Sequence, residues 1–541
     1  MTALRPGVRP RVGPRSPAGD GRSRRAVVIG GGIAGLASAA LLARDGYDVD
    51  VLEQRTALGG RAGLWDSGGF RFDTGPSWYL MPEVFDHFFR LLGTSAAEQL
   101  NLSVLDPGYR VFFEGHDAPV DIRPDLAANA ATFEAIEPGA GARLEAYLAS
   151  ARETYDVATR GFLYTSFQDL RALVRPEVLL RGGRLLALLT RSLESFVARR
   201  FTDRRLQQIL GYPAVFLGSS PDRAPSMYHL MSHLDLADGV LYPQGGIAAV
   251  IEAIAGLARR EGARLHTAAT VTAITTAPGG RRARVTGVRY RDAAGTERTM
   301  AADVVVGAAD LHHVETRLLP PALQTYPQVW WDGRQSGPGA VLVYLGVDGA
   351  LPQLAHHSLF FTADWHQNFA DIFGPEVRVP EPASIYVCRP SATDAGVAPA
   401  GSENLFILVP VPPDAALGHG GTDGAGDAAV ERVADAAIEQ LGAWAGIEDL
   451  RRRVVVRRTV GPADFAGEFN AWSAGALGPA HTWRQSAFLR GRNASRRVDG
   501  LFYAGSSTIP GIGLPMCLIS AEILLKRVRS DRSTAPLAAP L

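Results

Sequence analysis

The sequence predicts an α/β fold that opens on a βαβ unit of the doubly wound kind and is long enough for two or three domains. Three observations carry this. Residues 26–29, Ala-Val-Val-Ile, form the short apolar run of a buried parallel strand. Gly30-Gly31-Gly32 then opens an Ala/Leu-rich helix that Gly46 ends, and residues 49–52 form a second strand closing on Glu53. A βαβ unit is thus complete within about 30 residues. Finally, 541 residues exceed one domain of roughly 100–200, and apolar strands of the same kind recur far downstream at 304–306 and 501–503.

Between these landmarks the chain alternates. Residues 84–92 and 126–160 have helical character, as do 171–210, with breaks at Pro176 and Gly182-Gly183. An Ala/Ile/Leu helix at 247–260 follows Gly245-Gly246, with strands at 264–275 and 285–291. Residues 341–347 and 405–411 are strands, 428–445 a helix after a Gly/Asp/Ala-rich loop at 413–427, and 453–459, where Val mixes with Arg, an edge strand. A last helix runs from about Pro515 to Arg529.

Composition removes several function classes. With 46% hydrophobic and 20% charged residues, the chain has a large core and is not disordered. Its 55 basic and 55 acidic residues balance, which excludes a strongly basic nucleic-acid binder. Two cysteines, Cys388 and Cys517, exclude a disulfide scaffold and a multi-cysteine zinc site. No secretory signal is visible at the start, and no uninterrupted apolar run is long enough to span a bilayer. The pairs His312-His313 and His356-His357 lack metal-ligand spacing, because neighbours on a strand point to opposite faces, so no metal is expected. No Gly-x-Ser-x-Gly elbow surrounds Ser506-Ser507.

Gly30-x-Gly32-x-x-Gly35 has the dinucleotide-binding spacing. The pattern alone is weak, since about 0.7 occurrences are expected by chance at this glycine content. Its setting between strand and helix, with Glu53 at the end of the next strand, gives it weight. Gly30 allows the tight turn, Gly32 lets a pyrophosphate approach the backbone, Gly35 lets helix and strand pack, and Glu53 accepts from ribose hydroxyls. The helix N-terminus offers free N–H groups to the phosphates.

Gly59-Gly60-Arg61-Ala62 and Phe72-Asp73-Thr74-Gly75-Pro76 follow. Together with the first motif they resemble the FAD-dependent oxidoreductases of the amine oxidase and phytoene desaturase superfamily, and the resemblance runs from about residue 26 to 529. It extends to the turn Tyr242-Pro243-Gln244-Gly245-Gly246, Val271 in Thr270-Val271-Thr272, Trp365, Asn368, Arg389-Pro390-Ser391, Thr393-Asp394 and Gln485-Ser486-Ala487-Phe488. The run 499–515, containing Gly505, Gly511, Gly513 and Pro515, is similar to the carotenoid-desaturase signature. Within that group the bacterial-type phytoene desaturases are most alike. The sequence departs from their pattern at Met516-Cys517, where many members carry small residues, and at Gly491, where proline is common.

The resemblance implies a doubly wound FAD-binding (Rossmann-like) domain with an inserted α+β substrate domain and a helical membrane-facing region. It implies FAD as cofactor, held by Gly30, Gly32, Gly35, Glu53, Gly60, Arg61, Val271, Gly505, Gly513 and Met516. The Gly-Gly-Arg turn would lie on pyrophosphate and flavin, the Val271 backbone on adenine, and the 242–246 turn beside the flavin. The expected segments are a disordered tail (1–23), FAD-binding parts at 24–110, 236–310 and 461–530, a helical substrate or membrane-facing part (111–235), a substrate domain (311–460) and a flexible tail (531–541).

The implied activity is FAD-dependent desaturation of phytoene or a related carotenoid precursor toward lycopene-type polyenes. Desaturating an unactivated chain removes a hydride and a proton, and no side chain accepts a hydride, so flavin carries that step. Asp364, Asp371 and Asp464 are carboxylates of the substrate region, and none is assigned a catalytic role. A flavin amine oxidase, for which Tyr503 is the one aromatic candidate beside the flavin, is the rival enzyme; a carotenoid isomerase or ketolase and a flavin-bound membrane scaffold are others.

A long polyene cannot cross water, since at about 0.8 kcal/mol per methylene the penalty reaches tens of kcal/mol. Entry from a bilayer follows. Residues 171–200 hold seven arginines against two glutamates, a balance of +5, with leucines at 179, 180, 185, 186, 188, 189 and 193. On composition alone such a stretch is more often a core-facing helix pair with solvated arginines; the resemblance favours an interfacial anchor on anionic lipid. The expected location is the cytoplasmic side of a bacterial membrane, peripherally bound. Only one Gly-x-Gly-x-x-Gly lies between a strand and a helix, so the expected electron acceptor is oxygen or a membrane quinone rather than a nicotinamide.

Overall fold

The computed structural model describes residues 23–168 and 182–541. The expected N-terminal tail, apart from Ser23, and Arg171, Arg175 and Arg181 of the basic stretch lie outside the described residues.

A five-stranded parallel sheet forms the first layer, in the order Leu501–Tyr503, Val304–Gly307, Arg25–Ile29, Asp48–Leu52, Arg264–His266. Its strands are short and apolar on both faces because both are covered, as parallel sheets require. On one face the helices Ile33–Arg44, Gly246–Arg260 and Leu514–Val528 pack into one core with Val28, Val51 and Val306. The other face meets an antiparallel sheet of Thr270–Ala277, Ala283–Arg291 and Glu297–Ala301 through Val271, Ile274, Val285 and Val288. The expected strand at 264–275 is therefore two strands in two sheets.

A second large sheet has seven strands, ordered Val454–Val460, Gly339–Asp348, Ser402–Val411, Ile385–Cys388, His357–Phe361, Tyr109–Phe113, Val120–Ile122. Alternation on Gly339–Asp348 sorts its two faces. Val341, Val343, Leu345 and Val347 meet the helix Ala428–Ala445, while Ala340, Leu342 and Tyr344 face the opposite core. Helices cover that opposite side. The expected 126–160 helix is two, Leu126–Ile136 and Ala140–Ala158, split where Glu137 leaves the helical conformation ahead of Pro138. His312 and His313 belong to a helix, Leu311–Arg317, not a strand; Asp310 caps its start by accepting from the His312 N–H at 2.9 Å.

Residues 531–541 carry no regular element but are tied down. Glu522 accepts from the Leu537 N–H at 2.6 Å, the Leu541 N–H donates to Leu91 O at 3.0 Å, and Lys526 donates to Ala535 O. Lys526, the one lysine of the chain, is fully buried and also donates to Tyr164 O.

Candidate functional site

One cavity of about 880 Å³ is walled by the parallel sheet, the helices before residue 235 and the seven-stranded sheet together. Gly30, Gly32, Glu53, Gly60, Arg61, Val271, Gly505, Gly513 and Met516 all line it. Gly35 stands one layer behind.

Local chemistry explains the glycine cradle. Gly30 has φ +104°, a conformation that side chains resist. A Cβ on Gly35 would sit 2.0 Å from Gly30 O, so helix and strand could not pack. Gly32 starts the first helix with an ordinary φ of −75°, and a Cβ there would meet only Gly59 O at 3.8 Å and Gly60 Cα at 4.0 Å. Its side-chain direction therefore points into cavity space, where a pyrophosphate would approach. The Gly59-Gly60 turn is stitched to this cradle by the Gly59 N–H on Gly31 O at 2.9 Å.

Glu53 is buried, and its carboxylate accepts from the Gly31 N–H at 2.6 Å and the Arg55 N–H at 2.8 Å. These bonds fix the carboxylate and leave lone pairs on both oxygens for ribose hydroxyls. Arg61 is the strongest sign of an anionic guest. Its Nε and Nη2 are buried in the cavity wall with no partner among the described residues, and burial pushes its pKa down. Unpaired buried guanidinium donors are costly unless an anion or flavin carbonyl receives them. Gly513 starts the helix Leu514–Val528, so a second helix N-terminus opens on the cavity, with Met516 in its first turn. These residues fit FAD.

Away from the cradle the wall is apolar and aromatic, including Trp78, Phe162, Phe216, Met227, Leu234 and Phe406. Sequence reasoning missed this half, because these six residues come from five separate elements and a loop. It also missed His481, which lines the cavity. The His481 Nδ1 bonds Tyr228 Oη at 2.6 Å and its Nε2 accepts from the Ile512 N–H at 3.2 Å; burial and the nearby Arg490 hold the ring neutral. Gly511 was the available signal: a Cβ there would lie 2.3 Å from His481 Cε1.

Other expectations land elsewhere. The 242–246 turn does not line the cavity; it binds carboxylates behind the wall. Asp73 accepts from the Ile247 and Ala248 N–H groups at 2.7 and 3.0 Å, and Asp394 from the Gly245 N–H at 2.7 Å. Asp364 caps a helix, Asp371 pairs with Arg378 and Asp464 accepts from the Gly461 N–H, all outside the cavity wall. Tyr503 is fully buried with its hydroxyl on Glu315, so it offers no cage to an amine. Leu193, Phe196 and Val197 of the basic stretch are core residues, and Arg200 stacks on Phe196 at 3.9 Å. Residues 193–197 of the stretch thus pack on protein, with Arg191 and Arg199 left exposed.

Fold and site together define a flavin-dependent oxidoreductase with FAD as its cofactor. The chain belongs to the flavin containing amine oxidoreductase family, which it matches over residues 33–523. It is 41% identical over 495 residues to a carotenoid 3,4-desaturase of Haloarcula japonica, covering 92% of this chain and 96% of that protein. It is 36% identical over 508 residues to a zeta-carotene-forming phytoene desaturase of Myxococcus xanthus, covering 94% of each. Among solved structures, an oxidoreductase from Methanosarcina mazei aligns at TM-score 0.59 with 15% identity, covering 93% of this chain and 100% of that one. Putrescine oxidase aligns at TM-score 0.58 with 14% identity over 94% and 99%. Likeness at that identity supports the fold alone.

Proposed function

We propose that the chain desaturates phytoene or a related carotenoid precursor toward lycopene-type polyenes. The carrying observation is the continuity of the cavity, in which a glycine and arginine cradle for FAD opens directly onto an apolar chamber. Bound FAD supplies the acceptor for the electrons removed from a CH–CH bond. The protein's part is to hold and exclude. Glu53 and Arg61 fix the cofactor's polar end, while Trp78, Phe216 and Phe406 keep water from the reacting carbons. The carotenoid desaturases among the relatives favour this reading over amine oxidation.

Substrate entry from a membrane surface rests on the cavity mouth. Leu189 and Phe488 line the cavity yet are 43% and 46% exposed, and Trp483 and Leu489 lie exposed beside Phe488 in the chain. Aromatic and leucine side chains at such a rim suit the interfacial layer of a bilayer. Among the described residues no helix is long and apolar enough to cross one. Oxygen or a membrane quinone is the proposed electron acceptor.

The test is incubation of the FAD-loaded protein with phytoene-loaded liposomes, followed by absorbance and mass analysis. Desaturation lengthens the chromophore and removes hydrogen in pairs. An isomerase would leave the mass unchanged, a ketolase would add oxygen, and turnover of amines alone would replace this reading with amine oxidation.

A further inference from the structure

We propose that His356, His357 and Cys388 form a buried site for a soft monovalent metal cation of the copper(I) type. The sequence alone argued against a metal, since adjacent strand residues diverge. His356, however, precedes the strand His357–Phe361, so its ring is free of the strand's alternation and lies 4.6 Å from that of His357. Cys388 sits directly across the antiparallel ladder from His357. One ligand atom from each of the three lies within 4.8 Å of the others, a spread that small side-chain rotations close to metal–ligand distances of about 2.0–2.3 Å.

The second observation is the state of the ring nitrogens. His356 Nδ1 bonds Thr393 Oγ1 at 2.8 Å, and His357 Nδ1 bonds Tyr386 Oη at 2.7 Å, which in turn contacts Ser77 Oγ at 2.6 Å. Both Nε2 atoms are buried with no partner among the described residues, in residues 4% and 0% exposed. With Nδ1–H donating to the hydroxyls, each Nε2 presents a lone pair, and the hydroxyls act as the outer partners that metal-bound histidines need.

The surroundings select the cation. Asp73 and Asp394 are the nearby carboxylates, but their oxygens are taken by backbone N–H groups of 245, 247, 248 and 396. The void beside Cys388 holds about 10 Å³, the limit for one water. Among the described residues no fourth side-chain ligand is at hand, whereas zinc completes a tetrahedron with a fourth. Two neutral imidazoles, one thiolate and a monovalent cation give a three-coordinate site of zero net charge, which a dry interior tolerates. On binding, the S–H bond breaks, a sulfur–metal bond forms and one proton leaves to solvent. Trp78, a cavity-wall residue, stacks on His357 at 4.3 Å and 9°, so the metal would brace the wall without touching substrate.

The experiment loads FAD-bound full-length protein with copper(I) under anaerobic reducing conditions, removes excess with a chelator and counts metal by mass spectrometry. About one copper per chain is expected, falling at least tenfold in Cys388→Ser and His356→Gln variants that retain FAD. X-ray absorption on the wild-type protein should find one sulfur and two nitrogen neighbours, which tests the site even if the variants misfold. No retained copper, copper with other neighbours, or preferential binding of zinc would overturn the proposal.

Discussion

Gly32 and Gly35 lie one helical turn apart and fail differently when given a side chain. At Gly32 the backbone is ordinary and the space ahead is cavity, so Gly32→Val should fold and lose at least tenfold in FAD affinity, about 1.4 kcal/mol. At Gly35 the new Cβ strikes Gly30 O at 2.0 Å, and Gly35→Ala should lower stability by about 3 kcal/mol. Flavin absorbance per chain and thermal melting separate the two. If Gly32→Val keeps wild-type flavin affinity, the cradle is misassigned. Asp235 gives a second test. It is buried, accepts from Tyr212 Oη at 2.6 Å and Tyr109 Oη at 3.0 Å, and burial pushes its pKa up to about 7. Its folded pKa is raised above the unfolded value near 4, so its contribution is greatest below about pH 4 and is lost as pH rises to about 7. Asp235→Asn removes that loss. Relative to wild type, the variant should gain about 3 kcal/mol between pH 5 and pH 8, measured by denaturant melts. An unchanged difference across that range would show that Asp235 ionises normally.

At the scale of elements, what could be read in advance was whatever repeats locally. The helix Ala428–Ala445 and the strand Arg25–Ile29 follow from period and punctuation. The parallel pairing of Tyr109–Phe113 with His357–Phe361 had no such signal, because partners so distant in sequence leave no local trace. The same holds for the site. Gly30, Glu53 and Arg61 were legible through spacing and resemblance, whereas Trp78 and His481 join the cavity only through tertiary packing. In the basic stretch a leucine pattern reads alike for core and for lipid: Leu193 is core, Leu189 is exposed, and Leu179 and Leu180 lie outside the described residues. The rim that remains predicts that a Trp483→Ser, Phe488→Ser, Leu489→Ser variant co-sediments several-fold less with anionic liposomes. Each large side chain withdrawn from water contributes about 1.5–3 kcal/mol. Equal co-sedimentation would remove this face as the docking surface.

For the whole molecule, the ordered C-terminal residues matter to stability. Removing 532–541 strips Ala535 from Lys526 and Leu537 from Glu522, leaving two buried charged groups short of partners. A loss of about 1–3 kcal/mol in melting experiments is expected. The proposed acceptor is tested by anaerobic turnover with a soluble quinone or a nicotinamide as sole oxidant; product only with the nicotinamide would reject the quinone route.

The parallel sheet also imposes an order of assembly on a growing polypeptide. The strand Arg25–Ile29 leaves the ribosome well before its neighbour Val304–Gly307, and that neighbour well before the edge strand Leu501–Tyr503 that pairs with it. At about 5–20 residues per second, the roughly 470 residues separating first strand from edge strand take about 25–95 s to synthesise. Throughout that interval a Val-rich strand edge waits unpaired, a hazard for aggregation. Expression yield should therefore respond to holdase chaperones and to slower growth more than to added flavin, because the cradle has no second wall until the final helix emerges.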